Sequence, residues 1–479
     1  MATQISKPQT QAKDALVVCQ NSQAVELHGN ILRLTRHLVI FEVCTPFTVL
    51  RFSEALTHFR IFLSDRLAYS GRAVVNNLVN TGTVVVCEAN LEDSWVDVDL
   101  ALARNGESKL ELDFQEFMRS SQDAFRILPE FKLVVADMQI LLQNLHRWLE
   151  QIELGILSQP SGSRQQFERE IVQELQQPIL PLLGMLFEKF EASCRNIEPD
   201  LQPAHRNYVK RQLHSLVLCA PFMYRTFQKP LGYAGDYEMV SMMLRDPAEG
   251  ASLFAKVLNT FFLSTPPVVA HRNRIEYLKS VLTQEVARVV RGGRDAKILN
   301  LGCGPAREVQ DFIIGSELSG RAEFTLLDFN DETLLHLRAA FEDIKRRHHR
   351  VTRVKLDKKS VHQVLKEGGR SAARAPEDQY DVVYCAGLFD YLSDQVCKRL
   401  MNIFYDQLAP EGLLVATNVD ESNPSRNWME YSVDWHLAHR NCKVMARLVP
   451  DNAPPDSFRL LSEPSSVNAF IEIRKPKHG

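Results

Sequence analysis

The sequence predicts a doubly wound α/β domain at the C-terminal end of the chain, preceded by a helical segment and a small N-terminal β-barrel-like domain. Three observations carry that expectation. From Ala296 onward apolar runs of strand length alternate with amphipathic helical stretches, the pattern of a mostly parallel sheet. Between residues 111 and 282 apolar residues recur at three- and four-residue spacing, which is helical. Between Ala24 and Val98 short β-rich runs alternate with turn residues, as in a small barrel or sandwich. A chain of 479 residues exceeds what one core organises, so two or three folded units are expected.

Taken in order, residues 1–23 are polar and rich in Gln, Ser and Thr and read as a loose arm. Residues 24–104 hold the β domain, with runs such as Leu38-Val39-Ile40-Phe41-Glu42-Val43 and Thr83-Val84-Val85-Val86-Cys87. Turn signals lie at His28-Gly29-Asn30, Ser70-Gly71 and Asn80-Thr81-Gly82. Residues 105–290 are predicted to form a helical linker and substrate lid. Its first helix spans Glu111 to Leu157, the linker Ser158 to Arg164 follows, and breaks fall at Pro178, Pro181, Pro199, Pro203, Pro221 and Pro230. Within it Gly232-Tyr233-Ala234-Gly235-Asp236-Tyr237 is too rich in glycine for a helix interior and reads as a turn or a functional loop.

Residues 291–479 form the α/β domain, with strands predicted at 297–301, 323–328, 351–356, 380–385, 412–418, 441–448 and 467–473. The clearest helix runs from Ser393 to Leu408, with Val396, Leu400, Ile403, Phe404 and Leu408 on one face and Pro410-Glu411-Gly412 beyond its end.

Composition narrows the function classes. Lys+Arg number 56 against Asp+Glu 59, so no general field favours a phosphate backbone and nucleic acid is not expected as a partner. Nine cysteines stand without a CxxC pair or histidine clustering, as in a reduced, cytoplasmic protein with no metal site. The N-terminus does not read as a signal peptide, and no apolar run reaches bilayer length. Oligomeric state is left open by the sequence.

The chemistry concentrates in Ile298-Leu299-Asn300-Leu301-Gly302-Cys303-Gly304-Pro305, an apolar strand opening into a glycine turn. Gly302 and Gly304 let the backbone turn sharply and let a ligand approach the main chain. The next strand ends at Asp328, followed by Phe329, where a carboxylate can accept from ribose hydroxyls. A pyrophosphate-binding turn requires a third glycine at position 307, which is Arg. S-Adenosylmethionine has no phosphate and is the expected cofactor of this Rossmann-like turn. Asp357, at the end of a third strand, is a candidate for the adenine amino group or an ordinary loop acid. The fourth strand ends at Cys385 and runs through Gly387 into Asp390 and Tyr391, whose roles are substrate contact or packing and capping.

Residues 298–304, Asp328, Asp357, the segment 380–393 and Leu408-Ala409-Pro410-Glu411-Gly412-Leu413-Leu414 together resemble the motifs of class I S-adenosylmethionine-dependent methyltransferases over about 180 residues. The chain departs from them in Asn300, where many members carry an acid, and Ala306, where many carry glycine. The resemblance implies a seven-stranded, mostly parallel sheet with donor contacts at Asn300, Gly302, Cys303, Gly304, Asp328, Phe329, Asp357, Cys385 and Gly387. With Gly232-Tyr233-Ala234-Gly235-Asp236-Tyr237 and Ala270-His271-Arg272-Asn273-Arg274 included, the chain resembles bacterial 3-hydroxypalmitic acid methyl ester synthases, quorum-sensing signal enzymes. Gly29-Asn30-Ile31-Leu32-Arg33-Leu34-Thr35-Arg36 is similar to a PilZ domain, without that family's full cyclic-di-GMP signature.

The expected activity is methylation of a small-molecule acid, forming a hydroxy fatty acid methyl ester. Tyr233, Asp236, Tyr237, His271 and Arg272 are the candidate catalytic residues, with Arg274 beside them in a cationic and hydroxyl clamp. Arg272 and Arg274 read equally as solvated helix charges. An O- or N-methyltransferase of another small molecule would want a base, for which His271, Asp236 and His436 qualify. The aromatic stretch Asn427–His436 lines a pocket or packs on the sheet. A third reading is a regulatory donor-binding module whose β domain senses a ligand.

Overall fold

The structure is a computed structural model that describes residues 15–35, 37–43, 50–63, 66–80, 85–92, 95, 126–157, 160, 163–368 and 378–477. The predicted helical start at 111–125 and most of the linker 158–162 lie outside the described residues. The chain divides into two units. One comprises residues 1–125 with Leu231–Tyr233, the other residues 126–230 with 234–479.

The smaller unit is a closed six-stranded barrel of order β1-β2-β3-β6-β5-β4. Its strands are β1 (Ala15–Gln20), β2 (Glu26–Leu34), β3 (Leu38–Val43), β4 (Ala55–Leu63), β5 (Arg66–Asn80) and β6 (Val85–Leu91). Three sequence expectations are corrected. Residues 15–20, read as part of the arm, form β1, because Val17 and Cys19 are buried in the barrel core. Gly29 and Ser70-Gly71 lie within β2 and β5 instead of in turns. Gly29 serves close packing, since a Cβ there would lie 2.6 Å from Phe41 Cδ2. The interior is aromatic: Phe59 packs edge-on against Phe41 and Tyr69, with ring centroids 5.8 and 6.2 Å apart.

The larger unit is built on a seven-stranded sheet of order β12-β13-β11-β10-β7-β8-β9. Strands β7 (Ala296–Leu301), β8 (Ala322–Asp328), β9 (Arg353–Lys358), β10 (Tyr380–Cys385) and β11 (Leu408–Val419) run parallel. Strands β12 (Phe458–Ser462) and β13 (Asn468–Arg474) add to them antiparallel. The chain reverses its direction of travel across the sheet between β7 and β10, which opens a crevice at the carboxyl ends of these two strands. The sixth predicted strand, 441–448, is instead a helix, Cys442–Arg447, whose first turn is capped by the Asn441 side chain accepting from Val444 N–H. Its place in the sheet is taken by Phe458–Ser462, a half-exposed edge strand.

Helices α1 (Pro129–Leu157), α2 (Arg164–Cys194), α3 (Gln202–Val217), α4 (Pro221–Gln228), α5 (Tyr237–Leu244) and α6 (Leu253–Leu263) precede α7 (Pro266–Arg291), which leads into β7. After β7 come α8 (Arg307–Gly315), α9 (Asp331–His348), α10 (Val361–Gly368), α11 (Asp394–Asp406), α12 (Arg426–Ser432) and α13, the Cys442–Arg447 helix. Pro178 and Pro181 do not break α2. Both prolines are exposed, as are Glu174 and Gln177, whose carbonyls lose their helical partners and face water. The helices before α7 share one core with the segment after β11: Phe131, Phe190 and Phe262 pack with Trp428 and Tyr431. Polar ties reinforce it, with Glu191 accepting from the backbone N–H of Asn427 and Trp428 at 3.1 and 2.7 Å. Lys210 pairs with the buried Asp434.

Candidate active site

The glycine turn takes its shape from left-handed backbone at three positions, Gly302 (φ +70°), Gly304 (φ +50°) and Ala306 (φ +46°). A Cβ on Gly302 would press on Leu388, 3.2 Å away, whereas one on Gly304 would meet no atom within 4 Å. The Gly304 face is therefore open to a ligand. Gly302 and Cys303 donate to Leu327 O at 2.8 and 3.1 Å, which ties the turn to the end of β8. Asp328, buried there, accepts from Gly304 N–H at 3.2 Å and from Asn330 N–H at 3.0 Å. Phe329 follows, half-buried.

Beneath the turn lies a buried polar cluster. Glu308, in the first turn of α8, accepts from Tyr384 Oη at 2.7 Å and from Asn300 Nδ2 at 3.4 Å. Burial pushes its carboxyl up from the ordinary range. Asn300 is 2% exposed and its Oδ1 has no hydrogen-bond partner among the described residues. From α7, Arg274 reaches the same region, and a Cβ on Gly387 would lie 3.0 Å from both its Nη atoms. Arg274 is 8% exposed, not a solvated helix charge. Its guanidinium donates to His271 Nδ1 at 2.7 Å. Burial and the charges of Arg274 and Arg272 hold His271 well below its usual pKa, so it is neutral.

After β10, the turn Phe389–Tyr391 places Asp390 against β11, where it accepts from Val419 N–H at 2.6 Å. Burial raises its carboxyl from 3.8 to about 6, opposed by Arg274. Arg440 holds this turn from below, donating to Phe389 O at 2.7 Å, Asn418 Oδ1 at 2.6 Å and Leu392 O, and pairing with Asp394 at 2.7 Å. Tyr391 Oη accepts from Trp435 Nε1 at 3.0 Å and donates to no described residue, leaving its proton for an external oxygen.

Trp435 also lines a cavity of about 260 Å³ between the helices, walled by Phe222, Phe261, Phe262, Trp428 and Met429. It is bordered by Glu188, Glu191 and Thr265.

The structure thus brings Asn300, Gly302, Cys303, Gly304, Asp328, Gly387, Asp390 and Tyr391 to the crevice, together with His271 and Arg274. Cys303 and Cys385 are buried thiols whose pKa values burial drives well up. Asp357 is not gathered with them. It pairs in register with Leu327 and faces the space lined by Val364 and Phe404, with Lys355 Nζ at 3.6 Å. Asp236 caps α5 by accepting from Met239 N–H at 2.8 Å, and the same oxygen takes Arg225 Nε at 2.9 Å. Arg272 donates to Met243 O at 2.7 Å, fastening α7 to α5. Tyr237 packs its ring on His336, centroids 4.8 Å apart. Tyr233 belongs to the barrel unit. His436 is buried and held neutral by desolvation and Arg206.

Glu308 was not anticipated from the sequence. Its signal is an acid in the first turn of the helix after the glycine turn, in a chain with Asn300 where an acid is usual.

Residues 293–453 match the family described as a methyltransferase domain. No protein of curated function matches the chain. Among solved structures, a possible exported protein from Bordetella parapertussis is 17% identical, with 56% of this chain and 88% of that one covered at a TM-score of 0.41. Magnesium protoporphyrin IX methyltransferase from Synechocystis PCC 6803 is 11% identical, covering 43% and 84% at 0.31. The N-methyltransferase NodS from Bradyrhizobium japonicum WM9 with bound S-adenosyl-L-homocysteine is 13% identical, covering 53% and 99% at 0.30. At such TM-scores these likenesses assign neither substrate nor partner here.

Proposed function

We propose that this chain, whose residues 293–453 form a methyltransferase domain, transfers a methyl group from S-adenosylmethionine to a small-molecule acid with an apolar body. A hydroxy fatty acid is the acceptor that fits best, its methyl ester serving as a quorum-sensing signal. The observation that carries this reading is the aromatic cavity beside Tyr391. An apolar pocket of about 260 Å³ walled by Phe222, Phe261, Phe262, Trp428, Met429 and Trp435 suits a hydrocarbon chain.

The donor reading rests on the fit of the crevice. Gly304 presents a face without a Cβ, Asp328 stands at the end of β8 for ribose hydroxyls, and Asn300 Oδ1 is a buried acceptor lacking a donor. Bound there, S-adenosylmethionine supplies an electrophilic methyl on a sulfonium. The chain's part is alignment and exclusion of water. Tyr391, fixed by Trp435, has a proton to offer an acceptor oxygen.

The acceptor's class follows from which bases are available. His271 Nδ1 is taken by Arg274, Asp236 is spent on a cap and an ion pair, and His436 lies in the helical core. A carboxylate acceptor is already ionised and needs none of them.

Two measurements test the proposal. Calorimetric titration with S-adenosylmethionine should show binding that Asp328→Ala weakens, and binding indifferent to that change refutes the ribose placement. Incubation with labelled donor and a bacterial lipid extract should give labelled methyl esters. Label only in polar products would reassign the acceptor, and no label in either fraction would favour a donor-binding regulatory module.

A further inference from the structure

Arg274 is a buried cation with too few partners. It is 8% exposed and makes one hydrogen bond, to a neutral histidine, and no ion pair among the described residues. A buried charge without a compensating partner is strongly destabilising. Its charged surroundings are the carboxylates of Glu308 and Asp390, close enough to act on it but not bonded to it. Around it stand the hydroxyl of Tyr391 and the thiol of Cys385, with Gly387 giving the guanidinium its room.

Glu308 is the complementary anomaly. Its carboxylate is 7% exposed and held by Tyr384 and Asn300, neither of which is charged. Next to it Asn300 Oδ1 is a buried acceptor with nothing donating to it. The crevice therefore offers one cation wanting an anion, and an anion with an adjacent carbonyl wanting a donor. A ligand carrying only a carboxylate would satisfy Arg274 while meeting Glu308 and Asp390. A zwitterion satisfies both sides without adding net charge.

We propose that Arg274, with Glu308 and Asn300, binds the α-amino acid end of the methyl donor, its carboxylate on Arg274 and its ammonium on Asn300 Oδ1 and Glu308. Glu308 thereby supplies, from the first turn of α8, the acid that the strand lacks at Asn300. His271 is a positioning residue: its unprotonated Nδ1 orients the guanidinium. This assignment rests on the reading that S-adenosylmethionine binds the crevice.

The test compares two ligands on the full chain by calorimetry. S-Adenosylhomocysteine carries the amino acid end, whereas 5′-methylthioadenosine keeps the nucleoside and sulfur without it. The unaltered protein should bind the first at least about 30-fold more tightly, as charged hydrogen bonds are each worth about 1.5–3 kcal/mol. Arg274→Gln and Glu308→Gln should erase most of that preference while leaving 5′-methylthioadenosine within about threefold.

Equal affinity of the unaltered protein for the two ligands overturns the proposal without needing any variant to fold. Parallel loss of both ligands in both variants overturns it in favour of a structural role. Unchanged S-adenosylhomocysteine affinity in Arg274→Gln, with a raised KM for an acid acceptor, overturns it by giving the guanidinium to the acceptor's carboxylate. Binding of neither ligand by the unaltered protein overturns the donor reading itself.

Discussion

Replacing Arg440 by methionine should loosen the β10 turn that carries Asp390 and Tyr391. The side chain is almost fully buried and donates to Phe389 O, Leu392 O and Asn418 Oδ1, besides pairing with Asp394. Methionine fills much of the stem's volume but takes the guanidinium's donors from three interior acceptors, leaving Phe389 O to the Leu392 N–H and Leu392 O to the weak Cys397 thiol, at about 1–3 kcal/mol each. Asp394, 64% exposed in its side chain, returns to water at little cost. Against the loss stands the desolvation of the guanidinium, no longer incurred and worth several kcal/mol. The net is a destabilisation of about 2–4 kcal/mol, a fall in melting temperature of about 4–8 °C for the larger unit. Scanning calorimetry and tryptophan fluorescence would read it. Arg440→Lys should recover less than half, because a single ammonium cannot reach the acceptors that the guanidinium fork serves. A melting temperature for Arg440→Met within about 1 °C of the parent would refute the accounting.

Ala306 occupies left-handed backbone at the start of α8, so Ala306→Gly should raise stability by about 1 kcal/mol in urea denaturation; a loss would show that its Cβ packing outweighs the strain. Gly304→Ala should cost about 1–2 kcal/mol of stability, since only the backbone conformation is penalised, yet weaken donor binding roughly tenfold or more by blocking close approach. Undiminished binding would move the donor away from that face. Asp390, raised by burial from 3.8 to about 6, favours the folded state when protonated. That contribution is full below pH 3.8 and lost as pH rises through about 6, on the order of 3 kcal/mol in all. Asp390→Asn, which keeps an acceptor for Val419, should flatten the stability profile across that window, and an unchanged profile would assign the slope elsewhere. Phe262→Trp, which narrows the helical cavity, should raise KM for long acyl acceptors more than for short ones; equal effects on both would place the chain outside it.

Much of the α/β domain was legible because its central strands are buried on both faces. Ile298-Leu299-Asn300-Leu301 and Val382-Val383-Tyr384-Cys385 are apolar runs that no other element explains. The edge was not legible. Phe458–Ser462 buries little, so selection for an apolar pattern is weak there, while 441–448 carries enough apolar residues to pass for a strand until Asn441 caps it as a helix. Arg274 stood between a clamp residue and a solvated helix charge when judged by residue type alone. It falls four positions before Leu278 on the stripe that continues through Leu282 and Glu285, and that register placed it inside. What the sequence does not display is that Asp236 and Arg272 hold helices together, since a carboxylate at a cap and one at a reaction centre look alike in one dimension.

The shared core of the early helices and the stretch after β11 bears on how the protein can be cut. A fragment starting at residue 291, where the methyltransferase motifs begin, would present Trp428, Met429, Tyr431 and Trp435 to water. It would leave the N–H groups at the start of α12 without Glu191, and Asp434 without Lys210. Such a piece should express as an aggregate, and one retaining residues 126–290 should not. The recognisable catalytic module is thus shorter than the piece of chain that can fold around it.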